Sequence, residues 1–258
     1  MTVRINDWQA DGVVRCLAAS SRKFVGLMAD GVTVLKYLHV KTFDGMEALY
    51  EEAARYDRLG LHENLVTCKG THADALLFSY CERGSLRDLL DDGFELSDEL
   101  RSSVGQQVVG CLIWFHGQNF IHCDLNISNV FVTSDFTAKV GDLQSQLYRP
   151  DGGIEMPTMS QENAKSRHPW AGEEFSVKSD IFALGTLLYH LWHGEAPFPD
   201  LEEQTQEDEV QARYRNGERP IDVVSAMGMD GIIAKCWTSR PLGEEKKKWC
   251  RPMRDEQE

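Results

Sequence analysis

Residues 122–129 read His-Cys-Asp-Leu-Asn-Ile-Ser-Asn, and Asp142 follows thirteen positions after Asn129. One short stretch therefore supplies a carboxylate (Asp124), an amide (Asn129) and a second carboxylate (Asp142). Such a pattern of oxygen-bearing side chains reads as phosphoryl transfer, where positioning and charge stabilisation carry most of the catalysis.

Groups of this kind work only if regular elements hold them together. β-Branched runs predict strands at 13–17, 22–28 and 32–38, with Ala29-Asp30-Gly31 as the last turn, and again at 65–69 and 75–79. Between these sets, residues 45–59 carry Met46, Leu49, Ala53, Tyr56 and Leu59 at helical spacing, with Asp44 and Glu47 as the expected capping box. Beyond Gly84 the pattern becomes helical. Leu100, Val104, Val108, Leu112 and Phe115 recur behind Ser97, an expected N-cap, and this helix leads into the 122–129 loop. Residues 142–170 show no period and read as a long loop carrying Tyr148, Thr158, Ser160 and Ser166. His190 and His193 lack a third ligand nearby and read as a helix end.

The 122–142 stretch resembles the protein-kinase signature H-R-D-L-x-x-x-N followed by D-F-G. That resemblance implies that Asp124 accepts a hydroxyl proton, that Asn129 and Asp142 hold Mg²⁺, and that Asn126 lies beside the transferring phosphate. Val32-Thr33-Val34-Leu35-Lys36 is similar to the V-A-I-K strand, which makes Lys36 the ATP lysine and puts Val34 against the nucleotide. A helix carboxylate should hold that lysine. Counting back from His62-Glu63-Asn64-Leu65-Val66, similar to H-P-N-I-V, favours Glu52 and leaves Glu51 open.

Residues 76–86 resemble the strand and hinge joining the two kinase lobes. Phe78 would be the gatekeeper, the backbone of Ser79, Tyr80 and Cys81 would meet the base, and Phe131 would complete the nucleotide pocket. Ser179-Asp180-Ile181-Phe182-Ala183-Leu184-Gly185 and Gly194-Glu195-Ala196-Pro197-Phe198 resemble the S-D-I-W-A-L-G and G-x-x-P-F of the larger lobe. The wording is similar to divergent kinase-like sequences of filamentous fungi. The resemblance covers residues 12–238 and implies an α+β, bilobal fold: a small β-rich N-lobe over 1–79, a hinge and larger helical C-lobe over 80–240, and a polar tail at 241–258.

Several positions depart from the family. No glycine stands in residues 14–22, where G-x-G-x-x-G would precede Lys36. Cys123 replaces the Arg that normally meets an activation-segment phosphate, so ordering of that segment should not need the phosphate. Asn126 replaces the Lys of Ser/Thr kinases, Leu143-Gln144 replaces Phe-Gly, and Arg167-His168-Pro169 lies where A-P-E is expected. The implied function is an ATP- and Mg²⁺-dependent protein kinase acting on Ser/Thr. A pseudokinase platform and a small-molecule phosphotransferase are the alternatives, the latter opposed by the 179–185 and 194–198 motifs.

Composition narrows the partners. The 258 residues are 42% hydrophobic and 26% charged, ordinary for a soluble globular domain. A net charge of −14 disfavours nucleic acid and anionic membranes and favours a basic protein substrate. Seven cysteines without a C-x-x-C pair suit a reducing compartment, and no secretory signal pattern opens the chain, so the expected location is cytoplasmic or nuclear. The apolar stretches fall short of the ~20 residues of a membrane span.

Overall fold

A computed structural model describes residues 10–20, 23–160, 163–170 and 175–238. The tail expected at 241–258 lies outside them, as do residues 21–22. The first part forms five antiparallel strands, β1 (Val13–Ala19), β2 (Lys23–Met28), β3 (Thr33–Leu38), β4 (Cys68–His72) and β5 (Ala75–Ser79), in the order β1-β2-β3-β5-β4. Alternation along β3 sends Val34 and Leu38 into the main core, and Leu35 and Tyr37 into a smaller cluster with Val13 and Ala75. Asp30 fixes the β2–β3 turn by accepting hydrogen bonds from the Val32 and Thr33 N–H groups and from Thr33 Oγ1.

The strand expected at 65–69 begins later, at Cys68. Leu65, 3% exposed, instead bridges to Val140, while Val66 N donates to Val140 O and Val140 N to Asn64 O. Those apolar residues fasten the small part to the large one, and a buried connection has the same apolar signature as a strand.

Helix α1 (Phe43–Leu59) starts earlier than expected, and its cap is Thr42, whose Oγ1 accepts from Gly45 N. The expected Asp44–Glu47 capping box is therefore corrected: Asp44 sits in the first turn, where its charge favours the helix dipole.

The larger part contains α2 (Leu86–Asp91), α3 (Asp98–Gly117), α4 (Val177–His193), α5 (Glu207–Arg215) and α6 (Gly228–Thr238). Ser97 caps α3 as the spacing predicts, its Oγ accepting from Leu100 N. Two short strands, β7 (Val130–Val132) and β8 (Ala138–Val140), frame the residues before Asp142. Strand β6 (Phe120–Ile121) precedes the 122–129 loop and pairs with β9 (Gln146–Tyr148), which pairs with β10 (Ile154–Met156). These last two lie inside the segment that showed no period, because three-residue strands are too short to register one. The architecture is α+β and bilobal.

Helix α4 is almost wholly buried. Gly185 lets Cys236 and Trp237 of α6 approach, since a Cβ there would stand 2.7 Å from that of Cys236. His193 pairs with Asp230 of α6 at 2.9 Å, so the two histidines do end a helix, and no metal cluster occurs among the described residues. His190 is 8% exposed, and burial, with Arg87 and Lys165 nearby, pushes its imidazole down to about 4. A histidine depressed on folding takes up its proton first in the unfolded chain, so its stabilising effect is lost as pH falls from ~6.5 towards the folded value. The loss should reach about 2 kcal/mol between pH 7.5 and 5. Denaturant titrations of His190→Gln should lack that part of the slope; an unchanged slope would rule out His190 as its source.

Candidate active site

The two lobes meet at Lys36. Its ammonium donates to Glu52 Oε1 and Oε2 at 2.8 and 2.7 Å and to Asp142 Oδ1 at 2.6 Å. Glu52 comes from α1 and is 0% exposed, whereas Glu51 is half-buried and pairs with Arg55, at 3.4 Å. Burial works against the Lys36 charge, but Asp142 and Glu52 outweigh it and hold the amine above its ordinary value. Burial likewise opposes the Asp142 carboxylate, yet Lys36 keeps that carboxyl far below the usual range. For Glu52, burial pushes the carboxyl up against the pull of Lys36.

The 122–129 loop hangs from α4. Asp180, 1% exposed, accepts from the backbone N–H of His122 at 2.8 Å and of Cys123 at 3.0 Å, and contacts His116 Nε2 at 2.9 Å. These bonds hold Cys123 at φ +67°, a conformation side-chain-bearing residues seldom adopt. His122 is fully buried, with Nε2 3.2 Å from Gly141 O, and burial lowers its pKa, so it anchors the loop.

Asp124 is aimed by two amides. Asn126 Nδ2 donates to Oδ1 at 3.0 Å and Asn129 Nδ2 to Oδ2 at 3.1 Å. Burial, then the charge of Asp142, pushes the Asp124 carboxyl up to about 7. Asn126 spends its own oxygen on Ser128 N, at 2.8 Å. Asn129 Oδ1 and Asp142 Oδ2 receive no hydrogen bond among the described residues, so each has lone pairs to offer. One amide and one carboxylate oxygen form a hard donor set that fits Mg²⁺ completed by phosphate oxygens and water.

The residues expected around a nucleotide come together in part. Val34 and Phe78 are cross-strand partners, both buried, and Phe78 packs edge-on against Tyr56 of α1 at 5.2 Å. Phe131 is half-buried and points away from core residues Val130 and Val132, its ring against Gly141. The hinge needs a correction at Tyr80: its N–H donates to Val32 O, at 3.0 Å, and its hydroxyl takes the Arg15 guanidinium from β1. It has no backbone donor left for a base. Ser79 N donates to Thr67 O, while the Ser79 and Tyr80 carbonyls and the Cys81 N–H make no such turn or loop bond among the described residues.

Arg55 escapes a sequence reading because its helical position looks like an ordinary charge. It is fully buried, with Nε donating to Ser145 O at 2.8 Å and Nη2 to Pro157 O at 2.5 Å. The helix that carries Glu52 is thereby tied to the segment after Asp142. Arg55 at i+3 from Glu52 was the available signal. Among the loop hydroxyls, Ser166 is 2% exposed, and Thr158 and Ser160 both donate to Gln144 O.

The sequence is similar to those of curated protein kinases. A putative tyrosine-protein kinase of Caenorhabditis elegans is 28% identical over 71% of this chain and 24% of its own length. Mitogen-activated protein kinase kinase kinase 12 of Rattus norvegicus is 24% identical over 85% of the chain and 25% of its own, and kinase kinase kinase 13-A of Xenopus laevis is 28% identical over 70% and 19%. The chain thus spans a quarter or less of the length of these curated relatives. The family model for protein tyrosine and serine/threonine kinases matches residues 26–245, and the chain belongs to that family.

Proposed function

We propose that this chain is the catalytic domain of an ATP- and Mg²⁺-dependent kinase that phosphorylates Ser/Thr hydroxyls of proteins. The observation that carries this reading is the Lys36 ammonium, gripped by Glu52 and touching Asp142 across the cleft. Lys36, held extended, would position the phosphates. Asn129 and Asp142 would hold Mg²⁺, which supplies charge neutralisation of the phosphoryl oxygens. Asp124, aimed by Asn126 and Asn129, would orient the incoming hydroxyl and take its proton; a carboxyl near neutrality suits that task. Base contacts would come from Ser79 O and Cys81 N, with Val34, Phe78 and Phe131 around the ring.

Two of the three relatives are named as kinases acting in a cascade of protein kinases, which favours a protein substrate. The net charge of −14 favours a basic one and disfavours nucleic acid. No described helix is long and apolar enough to cross a membrane. With no disulfide at Cys16, Cys68, Cys81 or Cys111, a reducing cytoplasmic or nuclear setting fits. A second reading, a pseudokinase that binds nucleotide without transfer, draws on the glycine-free β1–β2 connection.

Thermal unfolding with and without Mg-ATP, run beside transfer to a generic basic protein, separates these readings. Nucleotide at 100 times its Kd should stabilise the fold by about 2.7 kcal/mol, a rise of about 5–10 °C at this size. Labelled serine and threonine should then appear in the hydrolysed product. Absence of any shift would remove nucleotide chemistry, and a shift without transfer would leave the pseudokinase.

A further inference from the structure

Lys23 is a second cation on the cleft side of the sheet that none of the roles above employs. The β2–β3 register pairs Lys23 with Leu38, Val25 with Lys36 and Leu27 with Val34. Directly paired residues share a face, so Lys23 projects on the face that bears Lys36. The core confirms that face: Val34 and Leu38 belong to the main cluster with Val25 and Leu27 packed on it, whereas Phe24 and Tyr37 lie in the cluster behind. Lys23 stands at the start of β2, where the chain leaves the glycine-free connection.

Its ammonium lies within electrostatic reach of Lys36, Glu52 and Asp142, and it acts in turn on both carboxylates. Burial lowers its pKa, the mark of a charge short of compensation. No hydrogen bond or ion pair engages the Lys23 ammonium among the described residues. The cleft there holds one tightly gripped ammonium against two carboxylates, and Asn126 brings no charge where a Lys would. A half-buried cation with no hydrogen-bond or ion-pair partner among the described residues is suited at such a place to an anion that arrives with a ligand.

We propose that Lys23 binds the terminal phosphates of the nucleoside triphosphate, supplying the attraction that a glycine-rich loop would otherwise provide through its backbone N–H groups. This rests on the nucleotide reading above and adds to it a residue and a specificity: the cleft should prefer the triphosphate to nucleotides with shorter phosphate chains.

Titration calorimetry with Mg-ATP, Mg-ADP and adenosine on the wild type, Lys23→Met and Lys23→Arg tests it. Loss of one charge-assisted contact should weaken Mg-ATP by ~10- to 100-fold in Lys23→Met and leave adenosine unaffected, with Lys23→Arg retaining most of the affinity. Because no hydrogen bond or ion pair engages the ammonium among the described residues and burial disfavours its charge, Lys23→Met should melt no lower than wild type without nucleotide. Equal Mg-ATP affinity in wild type and Lys23→Met, or equal weakening of adenosine, would overturn the assignment and leave the nucleotide reading standing. A wild type that binds none of the three would overturn both.

Discussion

Asp124→Asn is expected to lower phosphate transfer by about 10²- to 10⁴-fold, the usual contribution of a positioned general base. Mg-ATP binding should survive, because Lys36, Glu52 and Asp142 keep their mutual contacts without Asp124. The fold should lose little. Asn is nearly isosteric, but Asn126 Nδ2 and Asn129 Nδ2 both donate to the carboxylate, and an amide in its place can accept from only one of them. The conflict costs about 1 kcal/mol, but the amide also removes the buried charge that raises the Asp124 carboxyl, so Tm should not fall at neutral pH. Single-turnover transfer with saturating Mg-ATP is the measurement. Transfer within a few-fold of wild type would show that another group takes the proton, and a collapse of nucleotide binding would show that the residue shapes the cleft instead.

The sequence made the centre of this site readable because its members sit in short motifs whose spacing survives folding. Asp124, Asn129 and Asp142 lie within 19 positions, β-branched residues mark the strand of Lys36, and helical spacing with the 62–66 motif points to Glu52 on the next helix. Residues whose roles depend on register or tertiary contact stayed hidden. Arg55 matters because α1 lies against Ser145 and Pro157, distant in sequence. Lys23 matters only because β2 pairs with β3 in one register, and a one-residue slip would turn it away from the cleft. Thr42 capped α1 where Asp44 was expected, since several N-cap residue types stood within two positions of one another. The hinge shows the same limit: Tyr80 matched a motif, yet its N–H is claimed by Val32.

Lys36→Met should damage the nucleotide-free fold severely. It removes the cation between Glu52, 0% exposed, and Asp142, leaving two carboxylates around a buried gap. Breaking a buried pair in this way costs about 3–5 kcal/mol, a fall of ~6–20 °C in Tm. Protonation of Glu52 offers relief, and this predicts that the variant's stability depends on pH more steeply than the wild type's between pH 7.5 and 5.5. In the wild type, Lys36 pulls against the burial of Glu52 and holds Asp142 below its unfolded value, a stabilisation lost only below pH ~4 and so intact at both pH values. In Lys36→Met, burial raises Glu52 above its unfolded value of ~4.5, so the variant gains stability as pH falls towards that value. Lys36→Met combined with Glu52→Gln should then recover most of the loss at neutral pH, since the uncompensated charge has gone with its partner. Urea titrations of the three proteins at pH 7.5 and 5.5 decide it. A single variant as stable as wild type at pH 7.5, or a double variant no better than the single, would mean that Lys36 does not compensate the buried Glu52 as its distances indicate.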